Sequence, residues 1–318
     1  MAKINWKYYH KYAKEIDLRN NNITEMNWEG CPEGILYINL DRNYITEMNW
    51  EGCPQSLVEI NLGHNQIKEL NWKRCSTSLT KINLSNNHIK KLNWKYCPQS
   101  LTIINLRCNQ ITTMLWKNCP RQSITKICLS VNKITTMNWK DCPQSLIEIE
   151  LKSNKITNIV WKGCSQNLVE IVLRDNQITH ICWENCPQSL KSIDIYRNKI
   201  KEMIWKGCPR GLIKITLKGN QITELNWKYV PWDLRFTYDK ELTNEYNKYK
   251  ESRNNIPDLP YHCMLDEYKA FINELTHTFL LPPHNQNGFD SPYYKFKLYK
   301  NGGVSYRDAM KEMILDIS

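Results

Sequence analysis

The sequence predicts a repeat solenoid in which short parallel strands stack rung upon rung, and three observations carry that reading. Tryptophan recurs at Trp6, Trp28, Trp50, Trp72, Trp94, Trp116, Trp139, Trp161, Trp183, Trp205 and Trp227, spaced by 22 residues with a single step of 23. Between successive tryptophans, segments such as Leu57-Val-Glu-Ile60-Asn-Leu62 alternate apolar and polar residues, which is the pattern of a short strand with one buried face. Asparagine then occupies one fixed position in every unit: Asn21, Asn43, Asn65, Asn87, Asn109, Asn132, Asn154, Asn176, Asn198 and Asn220. A chain of 318 residues could form two ordinary domains, but an internal period overrides a count drawn from length.

Taken in order, residues 1–12 form a half rung, 13–233 ten full rungs, and 234–318 a C-terminal region. One rung alone cannot bury its apolar face, so neighbours must cover each other and stability becomes a nearly one-dimensional sum. Ten strands at about 4.8 Å spacing give an arc on the order of 50 Å long, with the parallel sheet on its concave face and irregular or 3-10 turns on its convex side. An inward asparagine amide both donates and accepts, so the column can satisfy backbone groups where the chain leaves each strand. The tryptophans, the cysteines three residues after them, and the column Met26, Met48, Leu70 complete the core.

The unit Leu-x-x-Ile-x-Leu-x-x-Asn-x-Ile resembles the conserved segment of leucine-rich-repeat proteins. The junction Cys53-Pro-Gln-Ser-Leu57 is similar to the Pro-x-Ser-Leu junction of bacterial-type repeats and of the FNIP-type repeats of amoebae and their large DNA viruses. The tryptophan and cysteine columns depart from both. The resemblance implies a solenoid that binds a protein partner without catalysis. An abundance of Asn, Ile, Lys and Tyr is similar to chains from AT-rich genomes such as those viruses, which implies the alternative of a minor virion or capsid-associated component.

A hydrophobic fraction of 41% and a charged fraction of 24% suit a soluble globular chain. No apolar stretch approaches the roughly 18 residues of a membrane span, so no membrane insertion is expected. Residues 1–18 lack an apolar leader segment. Thirteen cysteines, an odd number, in a chain read as leaderless point to free thiols in a reducing, cytoplasmic setting. The net charge of +11 favours an acidic partner: an acidic protein, nucleic acid or an anionic surface.

The chemical readings are weak beside the structural ones. The ladder Cys31, Cys53, Cys75, Cys97, Cys119, Cys142, Cys164, Cys186 and Cys208 has a spacing that cross-rung disulfides tolerate, yet free cysteine also behaves as a small core residue. Zinc sites need paired Cys or His groups, and the nearest approach is Cys182-Trp-Glu-Asn-Cys186. Seven histidines fall in different columns, and no phosphate loop, His-Glu-x-x-His or Gly-x-Ser-x-Gly motif occurs. Some bacterial leucine-rich-repeat effectors carry a ubiquitin-ligase cysteine, but Cys263-Met-Leu-Asp266 is unlike their Cys-x-Asp. No enzyme activity, cofactor or metal is expected.

Two surface features stand out. Lys73, Lys95, Lys117, Lys140 and Lys162 follow tryptophan in five successive rungs, with Lys206 and Lys228 further on. This basic ladder is either a solvated edge or a site for an acidic partner or nucleic acid. On the concave face, Asn39, Asn61, Asn83 and Asn105 repeat in one outward column. The pattern then breaks into Ile103, Cys108, Cys128 and Val131 bordered by Arg107 and Lys126. An apolar centre with a basic rim is the composition of a binding hot spot, and drift between duplicated rungs is the other reading. Lys152, Arg174, Tyr196 and Arg197 continue the candidate partner-binding face. Before tryptophan, Asn27, Asn49, Asn71 and Asn93 give way to Leu115, Val160, Cys182 and Ile204, and the single insertion lies in Cys119-Pro-Arg-Gln-Ser123. Specificity is therefore expected in rungs five to ten.

Beyond the rungs, 238–253 and the amphipathic 265–280 read as helices, Tyr294, Phe296 and Leu298 as a strand, Asn301-Gly-Gly303 as a turn, and Ser305 as the cap of a last short helix. This small, mainly helical region either caps the solenoid or docks it to an assembly.

Overall fold

The computed structural model describes residues 4–225, 230–231 and 234–237. The chain divides into two units, Met1–Glu251 and Ser252–Ser318, and every described residue belongs to the first. The helices, strand and turn expected within 238–318 lie outside the described residues, as do Trp227 and Lys228.

Among the described residues, thirteen short strands follow one 3-10 turn, Trp6–Tyr8. They are β1 (Glu15–Asp17), β2 (Tyr37–Asn39), β3 (Glu59–Asn61), β4 (Lys81–Asn83), β5 (Ile103–Asn105), β6 (Lys126–Cys128), β7 (Glu148–Glu150), β8 (Glu170–Val172), β9 (Ser192–Asp194), β10 (Glu202–Met203), β11 (Lys214–Thr216), β12 (Glu224–Leu225) and β13 (Arg235–Thr237). Eleven of them form one parallel sheet, while β10 and β12 pair separately. This is the expected parallel-sheet solenoid, and among the described residues its turns are irregular except for the 3-10 turn of the half rung. The tryptophan period sets the register: Ile16 pairs with Ile38, Ile38 with Ile60 and so on up the stack. The one inserted residue is absorbed between Cys119 and Ser123, so Ile103 still faces Lys126.

The sequence reading did not include β13, which pairs with β11 as an eleventh strand. It lacks the Leu-x-x-Ile-x-Leu signature, but its backbone completes the ladder, with Thr237 C=O accepting from Leu217 and Lys218 N–H. Phe236 stands where an isoleucine stands elsewhere and meets Trp205 edge-on, with centroids 5.5 Å apart.

Each rung buries the same side chains. The central strand isoleucines and the tryptophans from Trp6 to Trp205 are buried, and three tryptophan pairs, 28 with 50, 72 with 94 and 116 with 139, stack within 18° of parallel. The indole N–H commonly reaches into the next rung, as in Trp72 Nε1–H to the Asn93 carbonyl at 2.8 Å. From Asn43 to Asn220, each asparagine of the inward column binds two rungs together. Asn87 Oδ1 accepts from Ile67 N–H, and Asn87 Nδ2 donates to the carbonyls of Leu62, Leu84 and Ser85. The serine of the Pro-x-Ser-Leu junction does similar work on the other side: Ser56 Oγ donates to the Glu33 and Ile35 carbonyls of the rung before.

Two turns per rung need left-handed backbone. One is closed by Cys N–H to the Trp carbonyl, as from Cys75 to Trp72. Its third residue has positive φ, which explains Gly30, Gly52, Gly163 and Gly207 there. The other lies just before the inward asparagine.

Among the described residues all twelve cysteines are free, and the nine of the ladder are buried. Burial pushes their thiols up from an ordinary value near 9.0, to about 12 for Cys53 and Cys142 and higher still for Cys75 and Cys164. They behave as small core residues that keep their protons.

Asn87→Ala leaves a buried N–H and buried carbonyls without partners, so it is expected to lower unfolding free energy by about 2–4 kcal/mol in urea titration. At the open end of the column Asn21 is exposed, and its amide nitrogen donates only to the Arg19 carbonyl, so Asn21→Ala should cost less than about 1 kcal/mol. Because the folded state holds thiol protons that the unfolded chain releases above pH 9.0, stability is full below that pH and declines as pH rises beyond it. The urea midpoint should fall steadily from pH 9 to 10, and a flat profile would show the ladder thiols to be unprotected. In a Cys263→Ser background, one thiol, the exposed Cys182, should react rapidly with a thiol dye, and Cys182→Ser should remove that phase.

Candidate functional site

The exposed face of the sheet is built from the first and third residues of each strand and the two residues that follow the next buried leucine. Its third-residue column is not a free surface in the early rungs. Asp17, Asn39, Asn61, Asn83, Asn105 and Asp194 each turn a side-chain oxygen back to the N–H two residues on, at 3.0–3.1 Å. They are Asx turns that start the left-handed exit from the strand. Asn83 also donates to Asn61 across the rungs at 2.8 Å. The outward asparagine column thus has a backbone duty that alternation alone did not reveal. The asparagines before tryptophan do the same, Asn71 accepting from Lys73 N–H and Asn93 from Lys95 N–H. Glu150 and Val172 in the first column, and Leu115, Val160, Cys182 and Ile204 in the second, stand where that duty has been given up, while Cys128 keeps a backbone hydrogen bond from Ser130 through its sulfur.

Ile103 and Lys126 are register partners and both half-buried. Lys126 Nζ lies 2.5 Å from Glu148 Oε1 and 3.4 Å from Glu150 Oε1, so it enters the face as a paired charge. Its pKa is raised chiefly by the Glu148 hydrogen bond. Cys128 Sγ sits 3.2 Å from Glu150 Oε2 and 3.6 Å from Ser130 Oγ, and burial holds its thiol above the ordinary range. Cys108 and Val131 occupy the left-handed position before the inward asparagine, with φ of 54° and 58°. Val131 is exposed, and Arg107 beside them projects outward.

Further along, Lys152 approaches Asp175 at 4.0 Å and Arg174 approaches Asp194 at 3.5 Å. The Asp194 carboxyl lies above its ordinary range because burial outweighs its hydrogen bond and its cationic neighbours. The guanidinium carbons of Arg174 and Arg197 lie 4.6 and 4.9 Å from the Tyr196 ring centroid, so these three residues form one cation–π cluster. Sequence reasoning missed the carboxylates, Glu148, Glu150, Asp175 and Asp194. Reading each column for opposite charges one rung apart would have found them.

The basic ladder is solvent-facing at Lys73, Lys95, Lys117, Lys140, Lys162 and Lys206. Among the described residues no carboxylate pairs with these lysines, although neighbouring Arg74 pairs with Glu51 and Arg121 with Asp141. Lys95 lies over Tyr96 at 4.9 Å. Among the described residues no group of three or more His, Cys, Asp or Glu side chains could hold a metal ion, and no helix is long and apolar enough to cross a membrane.

Comparison with known proteins supports the fold. The pattern of the Leucine Rich repeat family matches residues 97–113, and no curated protein matches the chain. Among solved structures, Toll in the Drosophila Toll–Spatzle complex aligns over 69% of this chain and 31% of its own, with 19% identity and a TM-score of 0.58. The leucine-rich effector protein YopM of Yersinia pestis aligns over 67% of this chain and 61% of its own, with 22% identity and a TM-score of 0.50. YopM of Yersinia enterocolitica aligns over 70% and 55%, with 20% identity and a TM-score of 0.47. The chain therefore spans less than two thirds of the length of each of these structures. What it shares with Toll and Yersinia pestis YopM is the leucine-rich-repeat solenoid fold.

Proposed function

We propose that the chain is a non-enzymatic interaction module that binds a protein partner through the sheet face of rungs five to ten. The inward columns are committed to the core and to backbone hydrogen bonds, so the exposed face is where rungs differ without loss of the stack. Leucine-rich-repeat folds typically serve protein–protein interaction, and Toll, which shares the fold, is solved in a complex with Spatzle.

One residue carries the reading. In the left-handed position before the inward asparagine the rungs hold Asn20, Arg42, His64, Asn86, Cys108, Val131, Ser153, Asp175, Arg197 and Gly219. Val131 is β-branched, and such a side chain in this conformation is a genuine outlier that costs roughly 1–2 kcal/mol. It still leaves 36% of its surface to solvent, so its apolar side chain is not fully used within the chain itself. A strained apolar residue kept at the surface, between Cys108 one rung back and Ser153 one rung on, is what a partner contact would retain.

Val131→Asn tests this directly. Asparagine tolerates the left-handed region, so the variant should be more stable by about 1 kcal/mol in thermal or urea unfolding. If Val131 touches the partner, the stabilised variant should also lose most of the partner that the parent chain captures from its native source by cross-linking and mass spectrometry. A variant that is stabilised and captures the partner undiminished would assign Val131 to drift.

A further inference from the structure

The edge where the chain leaves the strands changes character along the stack. The relevant positions are the first and second residues after the buried leucine that follows each strand, and the residue after the inward asparagine. In rungs one to five they hold three cations and one carboxylate. In rungs six to ten they hold seven cations and one carboxylate, Asp175. Lys133, Lys155 and Lys199 form one column, all exposed, and among the described residues no carboxylate pairs with them. Lys152, Arg174, Arg197 and Lys218 flank that column, and among the described residues only the first two have carboxylate partners. This basic lane is separate from the ladder that follows tryptophan.

The lane is rigidly placed. Lys133, Lys155 and Lys199 each donate their backbone N–H to the carbonyl of a buried isoleucine in the preceding rung, Ile111, Ile134 and Ile178, at 2.8 Å. Like charges held at the rung spacing repel one another unless an anion relieves them. The strand side of the same rungs is net acidic, with Glu148, Glu150, Glu170 and Asp194 against Lys126 and Lys214. The face in these rungs is therefore split lengthwise into an acidic lane and a basic lane.

We infer that the basic lane of rungs six to ten docks an extended acidic segment of a protein partner, with its carboxylates on Lys133, Lys155, Arg197 and Lys199. Alternate side chains of an extended segment recur at about 6.7 Å against about 4.8 Å per rung, a mismatch that long lysine and arginine side chains span. Two observations favour a polypeptide over nucleic acid. Tyr196, the aromatic of the lane, already has guanidinium groups 4.6 and 4.9 Å from its centroid, so it is not a vacant platform for a base. The parallel acidic lane would also repel a phosphate backbone, whereas a peptide can turn neutral or basic side chains toward it. This inference rests on the proposed sheet-face function and names the chemistry of its partner.

The test is fluorescence anisotropy of the full chain with a short labelled peptide of alternating Glu and Ser, at about 0.15 M salt, where the Debye length is about 8 Å. The variant Lys133→Glu/Lys155→Glu/Lys199→Glu should weaken binding by about tenfold or more, whereas Lys95→Glu/Lys117→Glu/Lys140→Glu, equal in charge change on the other edge, should change it less than about twofold. Both variants alter exposed side chains, and circular dichroism melts confirm that they fold. No binding of the peptide, equal losses in the two variants, or tighter binding of an oligothymidylate of the same length would overturn the inference. The captured native partner separates the two proposals. Retention by the lane variant with loss in Val131→Asn removes the acidic segment and leaves the sheet face standing, while retention by both removes the sheet face as well.

Discussion

The fold depends on a buried amide. Wherever the chain turns out of a strand, a backbone N–H and several carbonyls are left pointing into the core, and one asparagine per rung answers them across the rung boundary. Asn65, Asn109 and Asn154 repeat the arrangement of Asn87, with the side-chain oxygen on the N–H of an isoleucine in the rung before and the side-chain nitrogen on carbonyls of both rungs. Removing such a group exposes the full desolvation cost of its partners, and in a one-dimensional stack that cost falls on the interface between neighbours. The tryptophan stack, the junction serines and the thiol ladder add to this lattice without replacing it.

Because the inward columns carry the structural demand, the outward columns are released from it to different degrees. Asn39 through Asn105 face outward yet still serve the backbone through Asx turns. Glu150 and Val172 have dropped that service, and the turn survives because the inward asparagine and the ladder still hold it. Val131 goes further, accepting a conformation that its side chain disfavours. The later rungs thus trade local stability for surface chemistry, and the charges there lean to opposite signs by side: carboxylates outnumber cations on the strands, and cations outnumber carboxylates along the exit edge.

The tryptophan period and the alternation of each strand made the register legible in advance, down to the absorption of the inserted residue near Arg121. The burial of the tryptophans and cysteines followed from their fixed phase relative to the strand isoleucines. What sequence reasoning missed was pairing in the second dimension. Lys126 and Glu148 are 22 residues apart and adjacent in space, and only a reading by column places them together. The eleventh strand was missed for a different reason. Arg235-Phe236-Thr237 carries none of the repeat signature, and backbone pairing with β11, not side-chain pattern, defines it.

Amide hydrogen exchange measured residue by residue tests the dependence on the asparagine column most directly. The N–H groups of Ile45, Ile67, Ile89 and Ile111, each bonded at 2.9–3.0 Å to an asparagine oxygen of the next rung, should exchange only through opening of the stack. They should be far slower than the exposed turn N–H groups of Lys73 and Lys95. Exchange of those isoleucines as fast as the turns would mean that the buried amides do not hold the rungs together.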